Sequence, residues 1–246
     1  RWINDNILSA LSPHACATGY VTGRSIRDHA SPHVDAGFVL TIDLENFFPT
    51  ISFSRVISIF RGLGYSGQVS TSLAKLCCLD NVLPQGAPTS PSLSNIVCKR
   101  LDEKLERFAI ESGLRYTRYV DDMCFSGGEI KKHTLDEIEK IVSSEGFRTN
   151  KSKTHLHAPR SNLKLVTGVN VALGKMSLPK SYKRAISTDL FHIEKYGLRS
   201  HLAKRKIRDP NYIEALVGKV GYWLFIEPEN KRAQHYKQVL AQFVNI

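Results

Sequence analysis

Two hydrophobic periods alternate along the chain. Phe38-Val-Leu-Thr-Ile-Asp43 is a short apolar run closing on an acid, and it predicts a buried strand. Residues 53–64 and 69–79 carry apolar positions at helical spacing, with Gly62, Gly64 and Gly67 punctuating the junction. Leu83-Pro-Gln-Gly-Ala-Pro-Thr-Ser-Pro91 reads as a loop. Ser90 is placed as an N-cap and Pro91 as the first residue of a long helix reaching about Ser112. Arg115–Val120 and Met123–Ser126 read as the arms of a tight hairpin around Asp121-Asp122, closed by Gly127-Gly128. A helix over 134–145 follows, then strands near 147–149, 154–157, 164–170 and 175–178. From Pro179 onward the spacing is helical, over about 180–197, 211–226 and 229–245. The expected class is α+β, a mixed sheet over residues 1–179 followed by a helical part over 180–246.

Composition narrows the partners. With 246 residues and 42% hydrophobic side chains, the chain buries a core of its own as one large or two modest domains. No apolar run reaches the roughly 18–20 residues that span a bilayer, so no membrane association is expected. The five cysteines are an odd number, Cys77 and Cys78 are adjacent, and no Cys-x-x-Cys pair occurs. That argues against a disulfide framework or a structural zinc site and points to a reducing, cytoplasmic setting. The chain opens Arg1-Trp2-Ile3 with no signal-like segment, and a preceding natural start is expected. Charge is uneven: residues 1–150 carry 16 Lys+Arg and 17 Asp+Glu, whereas 151–246 carry 18 and 6. A basic C-terminal third suits a polyanion, or forms a solvated helical face.

The candidate chemistry lies in three acids. Asp121 and Asp122 sit at the predicted hairpin tip, where a tight turn lets neighbouring side chains share one site. Paired carboxylates side by side are costly and call for a divalent cation between them. Asp43 ends a buried strand, where a carboxylate is poorly hydrated. Singly, each acid also reads as a turn or strand-end Asp. Together they suit a two-metal phosphoryl-transfer site.

At this point the chain resembles the reverse transcriptases. Tyr119-Val-Asp-Asp122 resembles their Tyr-x-Asp-Asp signature, Asp43-Leu-Glu-Asn-Phe-Phe48 their motif A and Leu83–Pro91 their motif B. Gly146-Phe-Arg-Thr-Asn-Lys-Ser-Lys153 resembles motif D, and Val166-Thr-Gly-Val169 the primer-grip region. The motifs occur in the family order over about residues 14–180, with a weaker, thumb-like remainder. The resemblance implies a right-hand polymerase: a fingers remnant and palm over 1–179 and a helical, basic thumb over 180–246. It also implies that fingers residues precede this chain. Asp43, Asp121 and Asp122 would coordinate two Mg²⁺ ions, helped by the Leu44 carbonyl, and Lys153, with Lys151 as competitor, would face the triphosphate. Phe48 would be the steric gate against a ribose 2′-hydroxyl, and Gln85, Gly86 and Tyr119 would line the nucleotide pocket.

Within the family, Val166-Thr167-Gly168 and His29-Ala-Ser-Pro-His33 resemble retron elements, although His29 stands where those enzymes have Asn. The implied activity is RNA-directed DNA synthesis that copies part of a structured non-coding RNA, template and primer in one, into a short RNA-linked DNA. The substrates would be dNTPs, and the setting anti-phage defence alongside an effector protein. RNA contacts are expected from Arg24, His33, Val166, Thr167, Gly168, Lys204, Arg205, Lys206 and Arg208. Another defence-associated or group II intron-like reverse transcriptase, or a non-catalytic RNA scaffold of polymerase fold, are the alternatives. His155-Leu-His157 as a metal pair and Tyr222-Trp-Leu-Phe225 as a base-stacking platform are weaker readings, the latter better taken as helical core.

Overall fold

The computed structural model describes residues 1–131 and 133–243. The chain begins with α1 (Trp2–Asn6) and a 3₁₀ turn at Leu8–Ala10. An irregular stretch of turns then leads to α2 (Ile26–Ala30), which runs into a second 3₁₀ turn, Ser31–His33. A capping box starts α2: Ser25 Oγ accepts from Arg27 N, and Asp28 accepts from the Ser25 backbone and hydroxyl. The strand predicted at 38–43 is β1 (Phe38–Leu44), followed by α3 (Phe47–Thr50), α4 (Phe53–Gly62) and α5 (Gly67–Cys77). Next come α6 (Ser90–Val97), α7 (Lys99–Glu111), the hairpin β2 (Arg115–Tyr119) and β3 (Asp122–Gly127), α8 (Thr134–Ser144) and β4 (Thr149–His157). A small hairpin, β5 (Leu165–Val166) and β6 (Val169–Asn170), leads into α9 (Lys180–Tyr196), α10 (Leu198–Arg205), α11 (Tyr212–Ile226) and α12 (Lys231–Ala241).

The main sheet has the order β2-β3-β1-β4, and every neighbouring pair is antiparallel. The parallel element of the expected mixed sheet is a single bridge, Ala17 to Arg118, at the β2 edge. The chain leaves β3, crosses through α8 and returns in β4 running parallel to β3, but β1 lies between them, so those two strands do not pair. Side-chain alternation gives the sheet two faces. Leu40, Ile42 and Leu44 point with Met123, Phe125 and Tyr116 into a core shared with α4 to α8. Val39 and Cys124 point the other way, into a second core built by Val166, Val169, Leu178, Leu190, Trp223 and Leu240. Residues on both sides of position 179 therefore share one core.

Local differences have local causes. Ser90 does not cap: it is the first helical residue, and its hydroxyl donates to Pro84 O at 2.7 Å, tying the 83–91 loop to the helix. The long helix to Ser112 is interrupted by an irregular turn at Cys98. The two strands expected at 147–149 and 154–157 are one strand with a break in register. Thr41 pairs with His155 while Asp43 pairs with Asn150, leaving three surplus residues on β4. The run 164–170 is folded back at Thr167-Gly168, both at positive φ, and 175–178 contributes a single bridge, Ser177 to Asn170. The basic run 204–208 begins inside α10, an unpredicted helix whose one buried residue is His201 and which ends at Lys206 in the left-handed region.

Candidate active site

Asp43 and Asp122 are direct partners in the β1–β3 ladder, so their side chains emerge on the same face of the sheet. Tyr119 pairs with Asp122 from the other side, leaving Val120 and Asp121 as a two-residue turn. Val120 has φ of 61°, a conformation that a β-branched residue adopts only under constraint. The constraint comes from below. Arg118 is fully buried, grips Asp102 through Nε at 2.8 Å and Nη2 at 2.6 Å, and donates from Nη1 to Val120 O at 2.9 Å. Leu44 N donates to Asp121 O at 3.0 Å, fastening the turn to the end of β1. The three acids predicted from the sequence thus come together at one corner of the sheet.

Burial raises the Asp121 and Asp122 carboxyls from their ordinary value, and the Asp121 charge raises Asp122 further. The surplus residues of β4 carry Lys153, whose Nζ meets Asp43 Oδ1 at 3.0 Å. Thr167, at the tip of the β5–β6 hairpin, donates to Asp122 Oδ2 at 3.1 Å. These observations test the fit of a metal. Two half-buried carboxyls are strained toward protonation, and an exposed ammonium sits against the third as a stand-in cation. All donors are hard oxygens of the kind Mg²⁺ takes. The residues fit a divalent cation. The three carboxylates stand apart, as like charges do, and do not form a trio with all donor atoms within 4.8 Å.

Below the acids lies a buried polar chain that sequence reasoning did not find. His33 Nδ1 meets Ser126 Oγ and its Nε2 meets Thr117 Oγ1, both at 2.7 Å. Thr117 Oγ1 also meets His29 Nδ1 at 2.7 Å and donates to His29 O at 3.1 Å. With that proton spent, both imidazoles donate to Thr117, Ser126 donates to His33, and His29 Nε2 is left as an acceptor. Burial lowers both imidazoles to about 3, so they are neutral at pH 7. His29 lines a cleft of about 240 Å³ together with Thr41, Asp43, Asp122, Lys153, His155 and Thr167. The available signal was period two: Thr117 and Thr41 lie two residues from Tyr119 and Asp43 on their strands, and His155 is Thr41's ladder partner.

The other predicted residues divide. Phe48 is half-buried, edge-on to the buried Phe47 with ring centroids 5.2 Å apart. Gln85 and Gly86 are exposed in the 83–91 loop, and Gly86 has φ of 92°, which favours glycine. Tyr119 packs against His29 with ring centroids 5.9 Å apart. The Val166 side chain is buried in the second core and His33 is fully buried, so neither side chain reaches a surface ligand. Arg24 is exposed and lies 3.8 Å from Asp28. Arg205 pairs with Asp189 at 2.8 Å and Lys204 meets His192 at 3.1 Å, so part of the 204–208 run is engaged within the protein. A second basic surface lies between α9 and the start of α12. There Lys180, Arg184, Lys231 and Arg232 border a groove of about 920 Å³. Trp223 is buried in the second core, as helical spacing predicted.

Residues 1–207 match the family described as Reverse transcriptase (RNA-dependent DNA polymerase). Among curated proteins, the chain is 40% identical over 194 residues to the Retron Ec86 reverse transcriptase of Escherichia coli, covering 78% of this chain and 60% of that protein. It is 30% identical over 226 residues to the Retron Ec83 reverse transcriptase of Escherichia coli, covering 83% and 68%. It is 29% identical over 263 residues to the Retron Mx162 reverse transcriptase of Myxococcus xanthus, covering 95% and 53%. The chain spans between about half and two thirds of the length of these relatives.

Proposed function

The chain belongs to the reverse transcriptase family, in its bacterial retron-type branch, and on that footing we propose that it is an RNA-directed DNA polymerase. It copies part of a structured non-coding RNA into a short RNA-linked DNA. The observation that carries this reading is the ladder pairing of Asp43 with Asp122 beside the Asp121 turn. Bound among these carboxylates, two Mg²⁺ ions would supply activation of the primer hydroxyl and charge neutralisation at the leaving pyrophosphate.

The chain's own residues do the rest. Thr167 fixes the orientation of Asp122 by donating to Oδ2, and the Arg118–Asp102 pair holds the turn that presents Asp121. Lys153, exposed and beside Asp43, faces the triphosphate. Phe48 closes the sugar side of the pocket against a 2′-hydroxyl, while Gln85, Gly86 and Tyr119 border the base. Residues 180–246 form the thumb, and their basic excess grips RNA through phosphates. Val166-Thr167-Gly168, His29 and His33 act by shaping the palm beneath the acids. The substrates are dNTPs, the setting is the bacterial cytoplasm, and an effector protein completes a defence system. Sequencing the nucleic acid that co-purifies with the protein tests this reading. A branched RNA–DNA of defined sequence is expected, and random cellular RNA contradicts it.

A further inference from the structure

Outside the aspartate corner, one group of side chains brings three different metal-ligating atoms together. His14 and Cys16 lie on a turn in the irregular segment before α2, and Glu106 lies on α7, 90 residues beyond Cys16 along the chain. Cys16 Sγ is 2.9 Å from Glu106 Oε1, and His14 Nε2 is 3.6 Å from Glu106 Oε2. Donor atoms of the three residues all lie within 4.8 Å of one another, the only such trio of His, Cys, Asp or Glu among the described residues. Cys16 is buried, while the His14 and Glu106 side chains are 15% and 40% exposed. The trio therefore has a closed wall and an open side.

We propose that His14, Cys16 and Glu106 bind a zinc-type divalent cation that fastens the N-terminal segment to α7. Zinc bonds of about 2.3 Å to sulfur and about 2.0–2.2 Å to nitrogen or oxygen set tetrahedral edges of about 3.3–3.7 Å. The His14–Glu106 separation already lies in that range. A thiolate, an imidazole and one carboxylate are a borderline-soft set that selects zinc over magnesium, the reverse of the three hard carboxylates at the catalytic corner. Water reaching the exposed side would complete the set as fourth ligand. On binding, the Cys16 S–H bond breaks, its proton goes to solvent, and the sulfur electron pair bonds the metal. The weak 3.4 Å bond from Cys16 N to His14 Nδ1 lapses, because an imidazole ligating through Nε2 is protonated at Nδ1.

The site is remote in sequence from the chemistry but joined to it by backbone. Cys16 O accepts from Arg118 N at 2.9 Å and Thr18 N donates to Arg118 O at 2.8 Å, so the segment is tied to β2 through a parallel bridge at Ala17. Arg118 in turn holds the Val120 carbonyl. A cation here makes the support of the catalytic turn firmer without touching substrate. The sequence offered no sign of it, since the ligands are a His-x-Cys pair and a distant Glu in place of a Cys-x-x-Cys repeat.

The test is titration of the chelator-stripped full chain with Co²⁺, read by absorption. Cobalt bound at the aspartates gives no thiolate-to-metal charge-transfer band, so the two sites are spectrally distinct and failure here leaves the polymerase reading untouched. The expected result is a charge-transfer band saturating at one equivalent and displaced by Zn²⁺. It should be absent in Cys16→Ser and at least tenfold weaker in affinity in Glu106→Gln. Glu106→Gln, at a half-exposed position, keeps the test sound if Cys16→Ser folds poorly. No band in the wild-type protein, or a band unchanged in both variants, overturns the proposal.

Discussion

The Arg118 guanidinium clasps Asp102 through two hydrogen bonds, both side chains fully buried, and its remaining arm holds the carbonyl of Val120. The pair joins α7 to the hairpin that carries Asp121 and Asp122. Tyr116 also donates to Asp102, at 2.8 Å, so the carboxylate is enclosed by donors. Removing one partner leaves an uncompensated buried charge, which costs about 3–5 kcal/mol. Asp102→Ala should lower the unfolding free energy by that amount in urea denaturation, and primer extension should fall with it because the strained turn loses its support. A decrease under about 1 kcal/mol would mean that the pair is dispensable.

The His29–Thr117–His33–Ser126 chain makes stability depend on pH. Both imidazoles have folded values near 3, below the ordinary 6.5 expected in the unfolded chain. Between those limits the unfolded chain binds more protons. The contribution of the pair is therefore complete above pH 6.5 and is lost as pH falls toward 3, by up to about 1.4 kcal/mol per pH unit for each imidazole. In native-state NMR titration, neither ring should protonate above about pH 4.5. A midpoint near 6.5 for either ring would show that it is solvated or differently bonded.

Phe48 stands at the end of motif A with its ring half-buried against Phe47. Phe48→Ala should admit ribonucleotides, read as a fall in the dNTP-over-rNTP ratio in competitive primer extension. An unchanged ratio with lowered stability would make Phe48 an ordinary packing residue.

Residues 180–246 contain two basic surfaces of different freedom. Lys180, Arg184, Lys231 and Arg232 border an open groove, whereas Arg205 and Lys204 are engaged with Asp189 and His192. Each phosphate left without its cation lowers the slope of log K against log salt by about 0.7–0.9. Replacing the first four by Ala should flatten the slope for RNA binding by about two units or more, and Lys204, Arg205, Lys206 and Arg208 to Ala by less. The opposite ranking would place the RNA grip on the 204–208 run.

How much was legible in the sequence follows from the range of the forces involved. The β2–β3 hairpin could be read because alternation and a two-residue turn are local, and β1 because a short apolar run ending in Asp43 has few other homes. That Asp43 shares a site with Asp121 and Asp122 was legible from residue type and position, but its direct ladder pairing with Asp122 was not, because it joins positions far apart along the chain. The surplus residues in β4 that deliver Lys153 to Asp43 were hidden, since a break in register is set by the partner strand. So was the bond from Thr167 to Asp122, where a short hairpin folds back on the acids. His29 and His33 were legible as an element but not as a buried network, because burial depends on which strand a helix end packs against. Helix α10 escaped because His201 is its one buried side chain, too little to make an apolar stripe.

The proposed activity turns on Asp43, Asp121 and Asp122 being the catalytic carboxylates of a DNA polymerase. Asp122→Asn puts that to the sharpest trial, in dNTP incorporation on a primed RNA template with Mg²⁺ present and circular dichroism as the check on folding. The variant should keep the wild-type spectrum and RNA affinity while incorporation falls by at least about a thousandfold, about 4 kcal/mol of lost barrier reduction. Incorporation within tenfold of wild type by the folded variant would remove these carboxylates from the chemistry.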